Sequence, residues 1–197
     1  MTDLKPPFQK IISHNRHFAL WWMLKRLSKK ESSPLQTAID DLALANNTIR
    51  FEEHLTLLGL LNRMPAELYD IKAFAKDLAQ KTKPFAAEIT GVGFRAMHTQ
   101  AVFLPVVPTE TLVSAFARAD NRFNPQNQAE VPVCMPHFSL VYGDLSQERR
   151  MVIAQDFQRR YAWSFPYYVD IARLAVVDVD GQPDEWKVIS DYPLIGK

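Results

Sequence analysis

Apolar and polar positions follow two different periods along the chain, and these predict short strands interleaved with amphipathic helices. An uninterrupted apolar run at residues 18–24 predicts a buried strand, and Ser32-Ser33-Pro34 predicts the start of a helix that ends at Asn46. The predicted helices cover residues 34–46, 65–81, 109–119 and 146–161. The predicted strands cover residues 18–24, 51–60, 85–97, 100–107, 133–142, 167–179 and 185–190.

Turn residues divide these elements into two halves. A polar loop at residues 120–132, rich in asparagine and glutamine, is the strongest internal boundary. The two extended runs around residues 98–99 are expected to pair through a turn, and residues 180–183 predict the turn of a final hairpin. We therefore expect one bilobal domain with an N-terminal tail (1–16), a first half (17–120) and a second half (121–197), between which strands can exchange.

Composition and charge limit the expected location of the protein and the classes of partner that it binds. The 197 residues are 47% apolar, enough for a sizeable core, and the formal net charge is +1. This charge does not favour binding of long nucleic acid, although residues 25–30 form a local basic cluster. The single cysteine, Cys134, cannot form an internal disulfide, and no signal-peptide pattern follows the N-terminus, so we expect a cytoplasmic location. No apolar run is long enough to cross a bilayer and no heptad repeat occurs, so we expect no membrane association and a monomer.

A four-residue pattern, in which a hydroxyl residue follows a histidine by two positions, occurs twice in apolar surroundings. The copies are His54-Leu55-Thr56-Leu57 and His137-Phe138-Ser139-Leu140. Successive side chains on a strand point to opposite faces, so each histidine shares a face with its hydroxyl. The other histidines, which lack the pattern, are His14, His17 and His98. Two such strands would place two imidazoles and two hydroxyls around one small anion.

The separation of the two copies is longer than the period of repeat proteins, which is about 20–50 residues. It suits two halves of one domain that are related by pseudo-symmetry. Each half would contribute one central strand, and ligand clefts commonly lie between such units. We therefore expect the site in a cleft between the halves.

The second motif and its surroundings resemble those of the two-histidine (2H) phosphoesterases, most of all the cyclic phosphodiesterase branch. The segment Pro136-His137-Phe138-Ser139-Leu140-Val141-Tyr142, followed by Gly143-Asp144-Leu145-Ser146, matches that branch's Pro-His-x-Ser-Leu-hydrophobic-Tyr strand and the polar start of its next helix. The likeness extends from residue 18 to residue 186 and includes Trp21 in the first strand. It implies an α+β, bilobal fold with antiparallel sheets lining a central cleft and helices outside.

The resemblance also implies a mechanism without a metal or another cofactor. In that mechanism His137 activates water, His54 protonates the departing ribose oxygen, and Thr56 and Ser139 hold the phosphate. Histidine has an unperturbed pKa of about 6.5 and is suited to either role. The residues themselves do not assign the base and the acid. We expect a bell-shaped pH profile that belongs to the coupled pair.

Aromatic residues complete the predicted site. The resemblance implies that Trp21 lines the cleft, where it would stack on a nucleobase. Trp22 faces the other way on the same strand, so at most one of the two serves the site. Phe103 is a second candidate for base stacking, and Tyr142 is a candidate phosphate donor. Packing in the core is the alternative role for all of these residues, because aromatic residues on strands are usually buried.

The first motif departs from the family pattern, because Glu53 precedes His54 where relatives have proline. Glu52 lies two residues before His54, so it would share its face and orient the imidazole or raise its pKa. A histidine beside a carboxylate also leaves a zinc or manganese site as an alternative, although neither copy has the spacing of known metal motifs. Cys134 is expected to pack as a small apolar residue.

These features predict an enzyme that hydrolyses a small cyclic phosphate to a phosphomonoester. The expected substrate is ADP-ribose 1'',2''-cyclic phosphate or a nucleoside 2',3'-cyclic phosphate. One alternative is RNA processing at 2',3'-cyclic phosphate ends or 2',5' linkages, which needs a basic track beside the cleft. The residues that would form this track are Lys25, Arg26, Lys29, Lys30, Arg63 and Arg95. The other alternative is a nucleotide-binding module that performs no chemistry.

Overall fold

A computed structural model describes residues 15–26, 32–127, 134–161 and 163–196 of the chain. Most of the predicted tail, and residues 128–132 of the predicted loop, lie outside the described residues. The strands are β1 (Arg16–Leu24), β2 (Leu55–Arg63), β3 (Phe85–Ile89), β4 (Gly93–Phe94), β5 (Val102–Pro105), β6 (His137–Val141), β7 (Tyr167–Asp178) and β8 (Lys187–Pro193). The helices are α1 (Pro34–Asn46), α2 (Leu68–Lys81), α3 (Glu110–Phe123) and α4 (Gln147–Tyr161). None of the helices in these ranges is long and apolar enough to cross a membrane.

The strands form one antiparallel sheet in the order β3-β7-β1-β2-β6-β5-β4, and β8 also pairs with β7. β1 pairs along most of its length with β2 on one side and with β7 on the other. β2 and β6 are joined by a single residue pair, Leu55 opposite Phe138. The two motif strands are therefore neighbours at the centre of the sheet, where they nearly separate. The expected α+β class and antiparallel arrangement are confirmed.

β1 shows how the apolar pattern sorts side chains onto two faces. Trp22 is fully buried in the main core, whereas Trp21 lies in a smaller apolar cluster on the other face. The predicted opposite orientation of the two tryptophans is therefore confirmed. Burial of a large apolar side chain contributes roughly 1.5–3 kcal/mol. The main core thus stabilises the sheet and leaves the Trp21 face available for the site.

α1 begins and ends at the predicted residues because its signals are local. Ser33 accepts a hydrogen bond from the backbone N–H of Gln36 at 2.9 Å, and Pro34 occupies the first turn. Asn47 ends the helix in the left-handed conformation, with φ of 51°. The predicted helix at residues 34–46 is confirmed.

The third helix extends four residues beyond its predicted end at residue 119. α3 continues to Phe123 because Ala119 and Phe123 are buried, and Phe123 packs edge-on against Phe74 at 5.1 Å. The predicted loop at residues 120–132 therefore begins inside α3. Apolar packing outweighs the turn preference of the polar residues at this point.

The extended run predicted at residues 85–97 contains two short strands with different partners. β3 pairs with β7, whereas β4 pairs with β5 through the expected turn. A Cβ added to Gly93 would lie 2.7 Å from the ring of Phe103, so only glycine fits there. The predicted final hairpin is confirmed, because β7 and β8 are antiparallel neighbours.

A residue with positive φ follows each motif, six positions after its histidine. These residues are Leu60, with φ of 55°, and Gly143, with φ of 152°. β2 has two register shifts against β1, and Leu60 lies at a bulge with 76% of its side chain exposed. A left-handed conformation costs a non-glycine residue about 1–2 kcal/mol. The first motif is thus followed by a strained turn with an exposed apolar side chain.

Candidate active site

The two motif strands line one cavity of about 210 Å³ where the sheet is joined by a single pair. Both histidines, both motif hydroxyls, Trp21 and Tyr142 form part of its surface. The other lining residues are Ala19, Gly59, Leu60, Thr99, Gln100, Val179 and Trp186. Of the residues predicted for the site, the structure leaves only Phe103 outside the lining.

His54 immediately precedes β2 and is held by backbone and aromatic contacts. Its Nδ1 lies 2.7 Å from the carbonyl oxygen of Glu52. The indole of Trp21 stacks on the imidazole, with centroids 3.6 Å apart and planes at 9°. Burial lowers the pKa of His54 to about 4, the Glu52 carbonyl acts in the opposite direction, and the neighbouring His137 lowers it further. The imidazole of His54 is therefore uncharged at neutral pH.

His137 begins β6 and repeats this backbone geometry. Its Nδ1 lies 2.9 Å from the carbonyl oxygen of Met135, again two residues earlier. Phe103 packs edge-on against the imidazole, with ring centroids 5.5 Å apart. Burial lowers the pKa of His137, and the guanidinium of Arg95 lowers it further, while the Met135 carbonyl acts in the opposite direction. His137 is less buried than His54.

The hydrogen bonds assign the same tautomer to both histidines. A carbonyl oxygen only accepts hydrogen bonds, so Nδ1 carries the proton in His54 and in His137. In a neutral imidazole of this form the lone pair lies on Nε2. Nε2 is therefore the nitrogen that can take a proton from a ligand, or donate one to it after protonation.

Three hydroxyl groups lie in the same cavity. Thr56 is partly buried, and Ser139 donates a hydrogen bond to the carbonyl oxygen of Thr99 at 2.8 Å. The Tyr142 hydroxyl hydrogen-bonds with Ser139, and burial raises the pKa of Tyr142, so this group stays protonated at neutral pH. Its ring stacks on Phe51 at 3.9 Å. The hydroxyls supply hydrogen-bond donors without adding charge.

The two aromatic residues predicted to stack on a base each contact one of the histidines. Trp21 is 3% exposed and lies between His54 and Trp186, whose ring centroid is 5.7 Å away. Phe103 lies between the guanidinium of Arg95 and the imidazole of His137. The ring of Phe103 is not part of the described cavity surface, and its base-stacking role stays a prediction.

The carboxylate of Glu52 does not orient His54, contrary to the prediction. It lies in a neighbouring cleft that Arg26 and Arg173 also line, and only its backbone carbonyl contacts His54. Burial raises the pKa of Glu52, while Arg173 acts in the opposite direction. The described residues contain no group of three or more histidine, cysteine or acidic side chains arranged to hold a metal. The histidine and carboxylate pair behind the metal alternative is therefore not found in this part of the chain.

The described basic residues of the predicted RNA track do not line the cavity. Arg26 and Arg63 pair with carboxylates, and none of the described members lines the cavity. Arg95 lies near His137, outside the lining. Residues 29 and 30 are outside the described ranges. Among the described residues, no lysine, arginine, aspartate or glutamate lines the cavity.

Several lining residues were not predicted for the site. The sequence contains a local pattern that could have identified some of them but not others. Trp186 follows the turn of the predicted final hairpin, which was a usable signal. Leu60 follows Gly59, and a glycine inside a strand pattern indicates a bulge. Thr99 and Gln100 gave no local signal, because they reach the cavity through the pairing of β5 with β6.

Solved structures share this fold. The crystal structure of TT0787 of Thermus thermophilus is 19% identical, with a TM-score of 0.57 over 92% of this chain and 99% of that chain. E. coli LigT complexed with 3'-AMP is 12% identical, with a TM-score of 0.61 over 91% of this chain and 98% of that chain. E. coli LigT complexed with NADP+ is 10% identical, with a TM-score of 0.59 over 92% and 99%. At these identities the likeness shows the fold alone.

A family model matches most of the chain, whereas no curated protein matches it. The model describes the 2'-5' RNA ligase superfamily and covers residues 32–183, which include both motifs. Two histidines with the same tautomer in one cavity agree with the two-histidine pattern for which this superfamily is named 2H. The chain belongs to the 2'-5' RNA ligase superfamily, the two-histidine phosphoesterases.

Proposed function

We propose that the protein hydrolyses a small cyclic phosphate ester to a phosphomonoester by general acid and base catalysis. The substrate is ADP-ribose 1'',2''-cyclic phosphate or a nucleoside 2',3'-cyclic phosphate. The observation that carries this proposal is the pair of imidazoles in one cavity, each with Nδ1 bound to a carbonyl and Nε2 left to react. Hydrolysis of such an ester needs one proton acceptor and one proton donor on opposite sides of the phosphorus.

The roles of the two imidazoles in the proton transfers are those that the family resemblance implies. Nε2 of His137 takes a proton from water as the water oxygen bonds to phosphorus. Nε2 of His54 gives a proton to the sugar oxygen as its bond to phosphorus breaks. The pKa of His54 is about 4 in the empty cavity, so this imidazole gains its proton when the anionic phosphate binds beside it. Substrate binding is therefore coupled to proton uptake at neutral pH.

The hydroxyls stabilise the charge on the non-bridging phosphate oxygens. Thr56 and Tyr142 donate hydrogen bonds to these oxygens, and Ser139 does so after its hydroxyl rotates away from the Thr99 carbonyl. Loss of one such donor typically costs about 10²–10³-fold in kcat. Trp21 holds the plane of the His54 imidazole through the stacking contact.

The size of the cavity favours a small substrate. Its volume of about 210 Å³ is below the roughly 300–1,000 Å³ of typical ligand pockets, so only the cyclic phosphate and its sugar are enclosed. E. coli LigT, which has the same fold, has been crystallised with 3'-AMP and with phosphate. The absence of a basic track around the cavity in the described residues gives no support to long RNA as the substrate.

A panel of cyclic phosphates tests the proposal. Wild-type protein should open at least one of them, with the product isomer identified by phosphorus NMR, and a chelator should not change the rate. His54→Ala and His137→Ala should each abolish turnover while the circular dichroism spectrum stays unchanged. His17→Ala is the matched control, because this partly exposed histidine pairs with Asp180 outside the cavity. Retained turnover in either active-site variant would overturn the assignment.

A further inference from the structure

Arg95 is held beside His137 by two uncharged partners. Its Nη2 donates a hydrogen bond to the sulfur of Met135 at 3.0 Å, and its Cζ lies 5.3 Å from the ring centroid of Phe103. Both partners also contact His137, Met135 through its carbonyl oxygen and Phe103 through its ring edge. The contacts that position His137 therefore position the guanidinium as well.

No carboxylate in the described ranges forms an ion pair with Arg95. Most described arginines, such as Arg26 and Arg173, form ion pairs with aspartate or glutamate. Arg95 forms none with any residue in the described ranges, and its exposed side chain contacts the sulfur and the aromatic ring. A guanidinium offers several N–H donors in one plane, a geometry that matches two oxygens of a phosphate group.

The location of Arg95 determines which part of a ligand it can reach. Arg95 is not among the lining residues, so it lies outside the enclosed cavity on the side of His137. The described lining of the cavity contains no arginine or lysine, and its volume of about 210 Å³ is below the usual size of a ligand pocket. A second anionic group on the enclosed sugar that extends past His137 would meet the guanidinium of Arg95.

We propose that Arg95 is a specificity-determining residue that binds a second phosphate or pyrophosphate group of the substrate. This inference rests on the proposed function, and it favours ADP-ribose 1'',2''-cyclic phosphate over a nucleoside 2',3'-cyclic phosphate. The two substrates differ in the pyrophosphate group, which only the first carries outside the ring. The guanidinium binds that group and leaves the reacting phosphate to the imidazoles and hydroxyls.

The test compares Arg95→Gln and Arg95→Lys on ADP-ribose 1'',2''-cyclic phosphate and adenosine 2',3'-cyclic phosphate. Loss of a charge-assisted hydrogen bond corresponds to about tenfold or more in binding. We therefore expect Arg95→Gln to raise KM for the first substrate about tenfold and for the second less than about twofold. Arg95→Lys should restore part of the loss. Added salt should weaken binding of the first substrate more in the wild type than in Arg95→Gln.

Arg149→Gln is the matched control, because Arg149 is an exposed arginine of α4 without an ion pair in the described residues, and its substitution should leave both KM values unchanged. Equal changes of kcat or KM for both substrates in Arg95→Gln would overturn the inference, because they would place the effect on His137. Unchanged KM for both substrates would overturn it as well, as would a wild type that turns over only adenosine 2',3'-cyclic phosphate. A wild type inactive on every cyclic phosphate would instead overturn the proposed function.

Discussion

The two copies of the motif have the same backbone geometry around the histidine but different surroundings. In each copy the carbonyl two residues earlier binds Nδ1. His54 is buried beneath Trp21, whereas His137 is less buried and has a guanidinium nearby. The shared backbone geometry thus determines which ring nitrogen carries the proton, and residues on other elements determine how readily each ring takes a second one. Two identical side chains acquire different properties from neighbours on other strands.

Substitution of the histidines tests whether the copies act together, and it has the largest expected effect. We expect His54→Gln and His137→Gln each to lower kcat/KM by about 10²–10⁴, the usual contribution of a general acid or base. If both take part in one step, the double variant should lose little more than either single variant. Steady-state kinetics of the four proteins measures this. Losses that multiply in the double variant would show that the copies act independently.

The pH dependence of the free energy of unfolding should distinguish the two histidines, because they differ in burial. The folded pKa of His54, about 4, lies below its unfolded value of about 6.5, so the unfolded chain binds more protons between these values. The resulting stability is fully present above about pH 6.5 and is lost as the pH falls through about 4. We expect this histidine to remove about 3 kcal/mol from the free energy of unfolding between about pH 7 and pH 4. Urea denaturation at several pH values measures it.

His54→Gln should lack this component of the pH dependence, and His137→Gln should keep it. The comparison with His137→Gln controls for general acid effects on the carboxylates, which both variants retain. Equal loss of stability on acidification in the wild type and in His54→Gln would contradict the role of burial at the first motif.

The aromatic neighbours should affect the two imidazoles separately. In Trp21→Leu water reaches His54, so we expect its pKa to rise while that of His137 stays constant. In Phe103→Leu the same change should occur at His137 and not at His54. NMR titration of the imidazole protons measures both values in each variant. Equal shifts of both rings in either variant would show that the cavity hydrates as a whole.

Local signals explain which parts of this fold could be predicted. Ser33, Pro34 and Asn47 specify the ends of α1 from within the segment itself, so its bounds were predicted correctly. The partner of β3 could not be predicted, because β7 lies in the other half of the chain and no local pattern encodes that pairing. Non-local strand pairing is specified by the whole core rather than by the paired segments.

In the site, too, residues with a local sequence signal could be predicted and residues brought in by tertiary structure could not. The repeated pattern correctly grouped both histidines and both hydroxyls in one cavity. Side chains two residues apart lie on the same face of a strand, so each motif predicts the common face of its histidine and hydroxyl. The prediction for Glu52 was wrong because alternation applies inside a strand, and β2 begins only at Leu55. Arg95 and Trp186 reach the site through pairing of other strands and through the final hairpin. Tertiary structure is needed to place Arg95 beside the cavity, whereas the final hairpin already carried a signal for Trp186.

The last difference between the two copies concerns the residue six positions after each histidine, and its substitution has the smallest expected effect on stability. Leu60 and Gly143 both have positive φ, but only glycine adopts it at little cost. Leu60 is 76% exposed, so substitution loses little burial. Because asparagine tolerates the left-handed region, we expect Leu60→Asn to raise the free energy of unfolding by about 1 kcal/mol, and Gly143→Ala to lower it by a similar or larger amount.

Denaturation curves measure both changes. An unchanged stability in Leu60→Asn would show that this turn is unstrained. A more stable variant with a higher KM would show that the first motif retains an unfavourable backbone because the exposed leucine contacts the ligand.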